Sequence, residues 1–302
     1  MSKRFERVAV LMGGPSEERE VSLASGAAIA DALDHAGYQV ARIDVTSREL
    51  VLPSDVEAVF IALHGSYGED GTVQAILEER GIPFTGSGSM ASRIAFDKLA
   101  SKKRFEEHGL PTPPWEELDA MTPRKLPLPV VVKPPRQGSS IGISIARDES
   151  AWTAAVADAA RYDRTWLVEA FIPGRELTVG IVGDQILPIV EIRAPEGNYS
   201  FQAKYTKGMT EYLAPAPLPE PLAARCQETA LAAYRALGAR GLGRVDIRLA
   251  EDGTPYLLEL NSIPGFTPTS LLPKAAAAAG IPFGALCERI LNLATCELEP
   301  VD

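Results

Sequence analysis

The chain has 302 residues, 46% of them hydrophobic and 23% charged, which is typical of folded globular proteins and long enough for two or three packed domains. Its 30 basic and 40 acidic residues give a formal charge of −10, which excludes nucleic-acid binding through bulk positive charge. No stretch reaches the roughly 18 apolar residues that a membrane span needs.

The N-terminal apolar run Val8–Met12 is too short for a signal-peptide core, and glycines and charged residues follow it at once. We therefore expect a cytoplasmic protein. Cys226, Cys287 and Cys296 show no metal-ligating spacing, and with only three histidines in the chain they argue against a zinc site. An odd number of cysteines without such spacing fits a reducing compartment.

In the first third of the chain, predicted strands alternate with predicted helices. The strands are Arg7–Met12, Tyr38–Val45 and Ala58–Leu63, the helices are Ser22–Ala36 and Thr72–Arg80, and a short extended segment follows at Ile82–Thr85. This alternation predicts a parallel, doubly wound sheet. Ligands of such sheets lie beyond the carboxyl ends of the strands, so Gly13–Glu18 and His64–Gly71 fall where a site is expected.

A predicted helix over Ala91–Glu107 leads into a Pro-rich segment that we interpret as a domain boundary. A small α+β pattern follows, with strands at Leu128–Lys133, Ile141–Ile145 and Thr165–Phe171 and a helix at Glu149–Ala160. The last third contains predicted strands at Glu176–Val182 and Ile186–Glu191 and a helix at Leu222–Leu237. Residues 193–212 form a polar connection of a length typical of a lid over a site.

Asp252-Gly253, between two apolar-rich runs, is a strong hairpin signal. If these two residues form the turn, counting outward from them predicts the pairs Asp246–Glu259, Arg244–Asn261, Val245–Leu260, Ile247–Leu258 and Leu249–Tyr256. Alternate residues of a strand share a face. One face of the hairpin is therefore predicted to be apolar, and the other to carry Arg244, Asp246, Glu259 and Asn261.

Directly opposed carboxylates destabilise a hairpin unless something compensates their repulsion. Asp246, Glu259 and Asn261 present the oxygen ligands that Mg²⁺ takes, with substrate phosphates completing its octahedron. Arg244 beside such a site is suited to stabilise negative charge on a reacting group. The hairpin alone fits equally well a solvated polar strand face on which Arg244 neutralises Asp246.

A second polar feature follows the buried strand that ends at Lys133. The loop Gly138–Gly142 contains Ser139 and Ser140, and it is not a Walker A loop because the lysine precedes the glycines. Such a loop can wrap phosphates with its N–H groups, while Lys133 and Lys98 act as point charges. Taken alone, the loop could equally be a flexible hairpin, and Lys98 could equally lie on the exposed surface of a helix. The occurrence of all these features in one order favours a nucleotide site.

Several short motifs, including those described above, follow one another in order along nearly the whole chain. They are Gly13–Ser22, Ala62–Gly65, Gly68–Gly71, Thr85–Ser87, Asp97-Lys98, Val132–Pro134, Gly138–Ser140, Gly243–Asp246 and Glu259–Gly265. This ordered set resembles the D-alanine–D-alanine ligases of the ATP-grasp superfamily. The resemblance implies a doubly wound parallel-sheet domain at residues 1–97, followed by a two-subdomain ATP-grasp fold. Its small central subdomain would span residues 98–176 and its catalytic, metal-binding subdomain residues 177–302, with ATP between them.

The resemblance also implies a reaction. ATP would phosphorylate the carboxylate of a first D-alanine, and the amine of a second D-alanine would attack the acyl phosphate to give D-alanyl-D-alanine, ADP and phosphate for peptidoglycan precursor synthesis. ATP would be the co-substrate, Mg²⁺ or Mn²⁺ the metal cofactor with two ions, and the protein a homodimer. No nucleic-acid or membrane partner is expected.

The resemblance assigns roles to individual residues. The catalytic group would be Glu18, Ser140, Tyr205, Arg244 and the Gly265 N–H, and the substrate residues Glu18, His64, Ser270 and Leu271. ATP would be bound by Lys98, Lys133, Ser139, Glu169, Ala170, Phe171, Ile172, Glu176 and Lys204, and the metal by Asp246, Glu259 and Asn261. For His64, a strand-end histidine bonded to the backbone fits the sequence equally well.

Some positions depart from the family pattern, and other functions stay open. Pro135 and Gln137 stand where Ser or Ala and Glu are usual, and Ala170 stands where many members carry Lys. A ligase using D-lactate or D-serine as the second substrate is one alternative, although Lys204-Tyr205 favours the dipeptide product. A nucleotide-binding regulatory module without catalysis is the other, and the retention of the whole catalytic set argues against it.

Overall fold

The computed structural model describes residues 3–194 and 208–296. Its strands are β1 (Arg7–Gly13), β2 (Gln39–Val45), β3 (Ala58–Ile61), β4 (Trp115–Leu118), β5 (Val130–Lys133), β6 (Ser144–Ala146), β7 (Trp166–Ala170), β8 (Arg175–Val182), β9 (Gln185–Ile186), β10 (Val190–Arg193), β11 (Glu211–Leu213), β12 (Leu242–Leu249) and β13 (Pro255–Asn261). Its helices are α1 (Arg19–His35), α2 (Thr72–Glu79), α3 (Ser89–Phe96), α4 (Lys98–Glu107), α5 (Glu149–Ala159), α6 (Glu220–Ala236), α7 (Leu271–Ala278) and α8 (Phe283–Asn292). None of the helices in these two ranges has the length and apolar character of a membrane span.

The N-terminal sheet is parallel, with the strand order β2–β1–β3. Successive side chains of β1 point to opposite faces. Val8 and Val10 therefore join the core cluster that contains the buried residues of α1, whereas Ala9 and Leu11 join the cluster that contains those of α2. With a helix on each face the sheet is doubly wound, which confirms the prediction from the alternating pattern.

Two antiparallel sheets follow. The small sheet has the order β4–β7–β5–β6 and is covered by α5. The large sheet has the order β11–β10–β8–β12–β13, with β9 beside β8. One face of the large sheet packs against α6. Helix α7 contacts β8, and its buried residues belong to the core cluster that also contains residues of β1 and α1. The mixture of α/β and α+β parts is the predicted fold class, whereas the domain boundaries at residues 97 and 176 stay predictions.

The predicted helix Ala91–Glu107 is wrong as a single element, because the chain is extended at Asp97 (φ −89°, ψ 105°). The Asp97 carboxylate accepts hydrogen bonds from the N–H groups of Leu99 (3.0 Å) and Ala100 (3.3 Å) and so caps α4. The break makes Lys98 the first residue of α4, where its side chain is buried.

Smaller differences concern the ends of strands. The predicted strand Ile186–Glu191 is divided into β9 and β10, and Ile82–Thr85 contributes only isolated bridges through Phe84. The last residues of the predicted 193–212 loop form β11, which pairs with β10. Residues 195–207 of that loop lie outside the described part of the chain.

The β12–β13 hairpin confirms the predicted pairing at its base but not at its tip. Asp246 pairs with Glu259, Val245 with Leu260 and Arg244 with Asn261. The two-residue turn is wrong, because residues 250–254 connect the strands, and Ile247 and Leu249 pair with Leu257 and Pro255. A β-bulge at Leu258 absorbs the offset of one residue. It leaves Leu257 in the core and brings Leu258 onto the same side as Glu259.

Candidate active site

A first cleft of about 750 Å³ opens between the small and large sheets. The hinge from β7 to β8 supplies Glu169, Ala170, Phe171, Ile172 and Glu176, and β5 supplies Lys133. The apolar wall includes Leu258, which the bulge turns into the cleft, and the acidic end is formed by Asp246 and Glu259. The cleft therefore combines an apolar pocket with cationic and acidic groups, as a nucleotide with its phosphates requires.

Beneath the hinge, two lysines hold the buried carboxylate of Glu169. Lys133 contacts Oε1, and Lys102 Nζ lies 2.5 Å from Oε2. Burial by itself would raise the pKa of Glu169, but the two lysines outweigh it and keep the pKa below its usual range. Lys102 Nζ also reaches Thr112 Oγ1 (2.5 Å) and the carbonyl oxygen of Leu257 (3.2 Å), so it links the hinge to β13.

At the acidic end, each carboxylate of the opposed pair has a cation of its own. Arg244 Nε and Nη2 donate to the two oxygens of Asp246 at 2.9 and 2.8 Å. Thr178 Oγ1 (2.6 Å) and Asn261 Nδ2 (3.1 Å) also donate to Asp246. Lys98 Nζ lies 3.2 Å from Glu259 Oε2. These cations offset the repulsion expected from two directly paired acids.

A second cleft, of about 1300 Å³, lies between the N-terminal sheet and the large sheet. Its walls contain six residues that were predicted for substrate or catalysis, namely Glu18, His64, Arg244, Gly265, Ser270 and Leu271. Arg244 and Asn261 line this cleft and at the same time hydrogen-bond Asp246 of the first cleft. The two clefts therefore meet at Asp246.

The Gly/Ser loop joins the clefts from the other side, with Ser139 and Ser140 both in the left-handed region (φ 50° and 59°). Such a conformation is rare for serine and is concentrated at functional sites. Ser139 Oγ donates to Glu18 Oε1 and lines the second cleft, whereas Ser140 lines the first. The placement favours the reverse of the two predicted roles, with Ser139 beside Glu18 and Ser140 at the first cleft, and the roles themselves stay predictions. A Cβ on Gly138 would lie 2.6 Å from Glu18 Oε2, so glycine permits the close approach.

His64 is buried, and both of its ring nitrogens are engaged within the protein. Nδ1 lies 3.1 Å from the carbonyl oxygen of Ile263, and Nε2 lies 3.1 Å from Ser25 Oγ. Burial lowers the pKa of His64, so the neutral ring is favoured. The structure thus agrees with the alternative of a strand-end histidine bonded to the backbone, although the residue also lines the second cleft.

Glu69 is a further group in the second cleft, to which no role was assigned although its segment was recognised as a motif. Its Oε2 accepts a hydrogen bond from the Gly65 N–H at 2.7 Å. Desolvation, with the charge of Glu18 as the next contribution, raises the pKa of Glu69 to about 8. Its carboxyl group is therefore mostly protonated at neutral pH. The remaining predicted residues, Lys204 and Tyr205, lie outside the described part of the chain.

Comparisons with known proteins place the chain in a family. The family model described as D-ala D-ala ligase C-terminus matches residues 104–292, and the one described as D-ala D-ala ligase N-terminus matches residues 7–55 and 46–87. The D-alanine–D-alanine ligase of Methylacidiphilum infernorum is 49% identical over 288 residues, which cover 95% of this chain and 94% of the relative. The chain belongs to the D-alanine–D-alanine ligase family.

A further relative of the D-alanine–D-alanine ligase family and two solved structures are similar to the chain over comparable lengths. The ligase of Syntrophotalea carbinolica is 50% identical, with 95% of each chain covered. The crystal structure of the D-alanine–D-alanine ligase from Bacillus anthracis complexed with ATP has a TM-score of 0.84 at 34% identity, covering 95% of this chain and 97% of that one. The VanG D-Ala:D-Ser ligase from Enterococcus faecalis has a TM-score of 0.85 at 27% identity, covering 96% and 99%.

Besides Glu69, two residues of this D-alanine–D-alanine ligase site were missed, for different reasons. Lys102 follows Lys98 by one helical turn, a spacing that places both on one face of α4, so the sequence did contain its signal. Leu258 faces the cleft only because of the bulge. No residue pattern in the hairpin distinguishes a bulge there from regular pairing.

Proposed function

We propose that the protein is an ATP-dependent ligase that joins two D-alanines for peptidoglycan precursor synthesis. The observation that carries the proposal is the meeting of the two clefts at Asp246. A γ-phosphate that extends from the first cleft reaches the carboxylate of an amino acid in the second without leaving the protein. Phosphoryl transfer depends mainly on such alignment and on charge neutralisation.

In the first step, the residues of the first cleft hold the nucleotide. The hinge Glu169–Ile172 would receive the adenine with Leu258 against one face, and Glu176 the ribose. Lys98 and Lys133 would lie on the phosphates, where each lysine is a compact point charge. The burial of both lysines supports this role, because their charges act on the phosphates through little intervening water.

In the second step, the residues of the second cleft hold the amino acids. Glu18 would bind the ammonium of the first D-alanine and be oriented by Ser139. Arg244 and the Gly265 N–H would stabilise the oxyanion of the tetrahedral intermediate. Ser270 and Leu271 would hold the carboxylate of the second D-alanine, at the N-terminal end of α7, where the helix dipole favours a negative charge.

Asp246, Glu259 and Asn261 fit a divalent cation by their chemistry, since all three offer oxygen donors at the base of one hairpin. Within residues 3–194 and 208–296, no group of three or more His, Cys, Asp or Glu side chains is arranged to hold a metal ion. A cation here would need phosphate oxygens as further ligands, as Mg²⁺ does at sites with one or two carboxylates. We propose two Mg²⁺ or Mn²⁺ ions, which would neutralise charge on the phosphates.

The test is the release of ADP when D-alanine is added to the purified protein with ATP and Mg²⁺. We expect turnover with D-alanine and none with L-alanine, and a product of the mass of D-alanyl-D-alanine. ATP binding without D-alanine-dependent turnover would reject the proposal in favour of a regulatory module. A preference for D-serine or D-lactate in competition with D-alanine would reject the dipeptide and support the alternative ligases.

The proposal also includes a cytoplasmic homodimer, which the family resemblance suggests. One chain has a mass of 32.4 kDa, and light scattering on the purified protein should give twice that mass. A mass equal to one chain across the working concentration range would remove the dimer from the proposal without affecting the reaction.

A further inference from the structure

A closed set of hydrogen bonds connects α1, the end of the β3 segment and the turn from Ile263 to Phe266. Ser25 Oγ lies 3.1 Å from His64 Nε2 and accepts a hydrogen bond from the N–H of Phe266 at 3.2 Å. His64 Nδ1 lies 3.1 Å from the carbonyl oxygen of Ile263. All four residues are at most 4% exposed, so water does not compete for these bonds.

The chemistry of the groups fixes the direction of each bond. The Ile263 carbonyl oxygen only accepts, so His64 Nδ1 carries the proton, and Nε2 of the neutral ring is an acceptor. Since Ser25 Oγ accepts from the Phe266 N–H, its own proton is available for His64 Nε2. In this one arrangement every donor and acceptor of the set is satisfied, as buried polar groups require.

These bonds hold both ends of a short turn. Ile263 is bound at its carbonyl group and Phe266 at its N–H, and between them lie Pro264 and Gly265, which line the second cleft with Arg244. Pro264 has a fixed φ and no N–H. Gly265 is thus the flexible residue of the turn, and its position depends on how firmly the two ends are held.

We propose that Ser25 is a positioning residue: it holds Phe266 directly and Ile263 through His64, so that the N–H of Gly265 in the turn between them is kept in place for the developing oxyanion. The assignment of the oxyanion to Gly265 rests on the proposed function. The hydrogen-bond network is independent of that assignment, because the protonation of the His64 ring can be measured without turnover. Ser25 lies in the interior of α1 and lines neither cleft, so it acts without touching substrate.

The chain offers a matched control for Ser25→Ala. Ser22 lies one turn earlier on α1, is also 0% exposed, and donates to the carbonyl oxygen of Ala62 at 2.7 Å. Ser22→Ala therefore removes a buried serine hydrogen bond of similar length from the same helix without touching the turn. We expect Ser25→Ala to lower kcat about 10- to 100-fold, as displacements of about 1 Å do, with the KM for ATP changed less than about twofold. Ser22→Ala should leave kcat within about twofold.

A spectroscopic measurement tests the network without any assay of activity. The chain has only three histidines, His35, His64 and His108, so an imidazole ¹H–¹⁵N correlation spectrum contains three ring systems. In the unsubstituted protein, His64 should show a protonated Nδ1 and an unprotonated Nε2 that accepts a hydrogen bond. Ser25→Ala should shift the Nε2 resonance towards that of a free acceptor, whereas Ser22→Ala should not.

Either measurement can overturn the proposal. A His64 ring protonated at Nε2 instead of Nδ1 would contradict the network, whether or not the protein turns over D-alanine. Equal losses of kcat in Ser25→Ala and Ser22→Ala would show that Ser25 supports only the fold. A double-mutant cycle between Ser25→Ala and His64→Asn adds a further check, because residues of one hydrogen-bond network give non-additive losses, and additive losses would refute the coupling.

Discussion

Replacement of Lys102 by methionine tests whether a buried ammonium stabilises this fold or only serves its site. The Lys102 side chain is 0% exposed. Its burial lowers its pKa from 10.5 to about 8, although Glu169 acts in the opposite direction. A fall of that size corresponds to on the order of 3 kcal/mol against the charged form in the folded protein. Methionine keeps an unbranched apolar side chain and removes this cost.

The substitution also removes one favourable contact. The lowered pKa of Lys102 already includes its attraction to Glu169, so the loss of this contact is not a separate cost. Glu169 Oε1 keeps Lys133, and the Leu257 carbonyl keeps its hydrogen bond from Thr112 Oγ1 at 2.9 Å. We therefore expect K102M at neutral pH to be at least as stable as the unsubstituted protein, with a gain of up to about 3 kcal/mol in the free energy of unfolding. Nucleotide affinity should fall, since Glu169 is no longer held from both sides.

The same pKa determines how the difference depends on pH. Between pH 8 and 10.5 the unfolded chain holds the Lys102 proton more tightly than the folded chain does. The stability that Lys102 contributes therefore rises with pH through this range. K102M lacks the group, so the difference in unfolding free energy should move in favour of the unsubstituted protein as the pH is raised.

Urea denaturation at neutral pH and near pH 10 measures both effects. The neighbouring Lys103, 58% exposed and 3.7 Å from Glu117, provides the control, and K103M should change stability by less than about 0.5 kcal/mol at either pH. A loss of more than about 1 kcal/mol in K102M at neutral pH would refute the reasoning, because the ammonium would then be a net stabiliser. Parallel pH dependences of K102M and the unsubstituted protein would refute it as well.

Three further predictions concern the clefts. Leu257→Ala should lower the free energy of unfolding by about 2–5 kcal/mol, whereas Leu258→Ala should lower it less and raise the KM for ATP. Urea denaturation and steady-state kinetics measure these effects, and equal effects of the two substitutions would contradict the bulge. Ser139→Ala should raise the KM for the first D-alanine, and Ser140→Ala should raise the KM for ATP. The opposite pattern would support the roles predicted from the sequence, in which Ser140 is catalytic and Ser139 binds ATP. Asp246→Asn should lower kcat at least about 100-fold and raise the Mg²⁺ concentration for half-maximal rate; an unchanged Mg²⁺ dependence would remove Asp246 from the metal ligands.

The sequence predicted the parts of the site whose signals are local or periodic. The alternation of strands and helices placed Glu18 and His64 at strand ends, and the hairpin pattern paired Asp246 with Glu259. What it could not predict depends on backbone detail. The difference between Ser139 and Ser140 accompanies two consecutive left-handed residues, and the two neighbouring serines line different clefts.

The groups that compensate the opposed acids were only partly predictable from the sequence. From the sequence, the opposed acids Asp246 and Glu259 required a metal for compensation, with Arg244 as an alternative for Asp246. The structure provides a cation for each acid, Arg244 on its own strand and Lys98 from α4. The contact with Lys98 joins two distant parts of the chain, and no local pattern encodes it.

The contacts that build the second cleft join residues that are far apart in the chain. Ser25 and Phe266 are separated by 241 positions, His64 and Ile263 by 199, and Glu18 and Ser139 by 121. A chain that ends before residue 263 lacks the carbonyl partner of His64 and every later residue that lines the second cleft. The second cleft is therefore complete only after the C-terminal segment has been synthesised, although Glu18 and His64 belong to the first quarter of the chain.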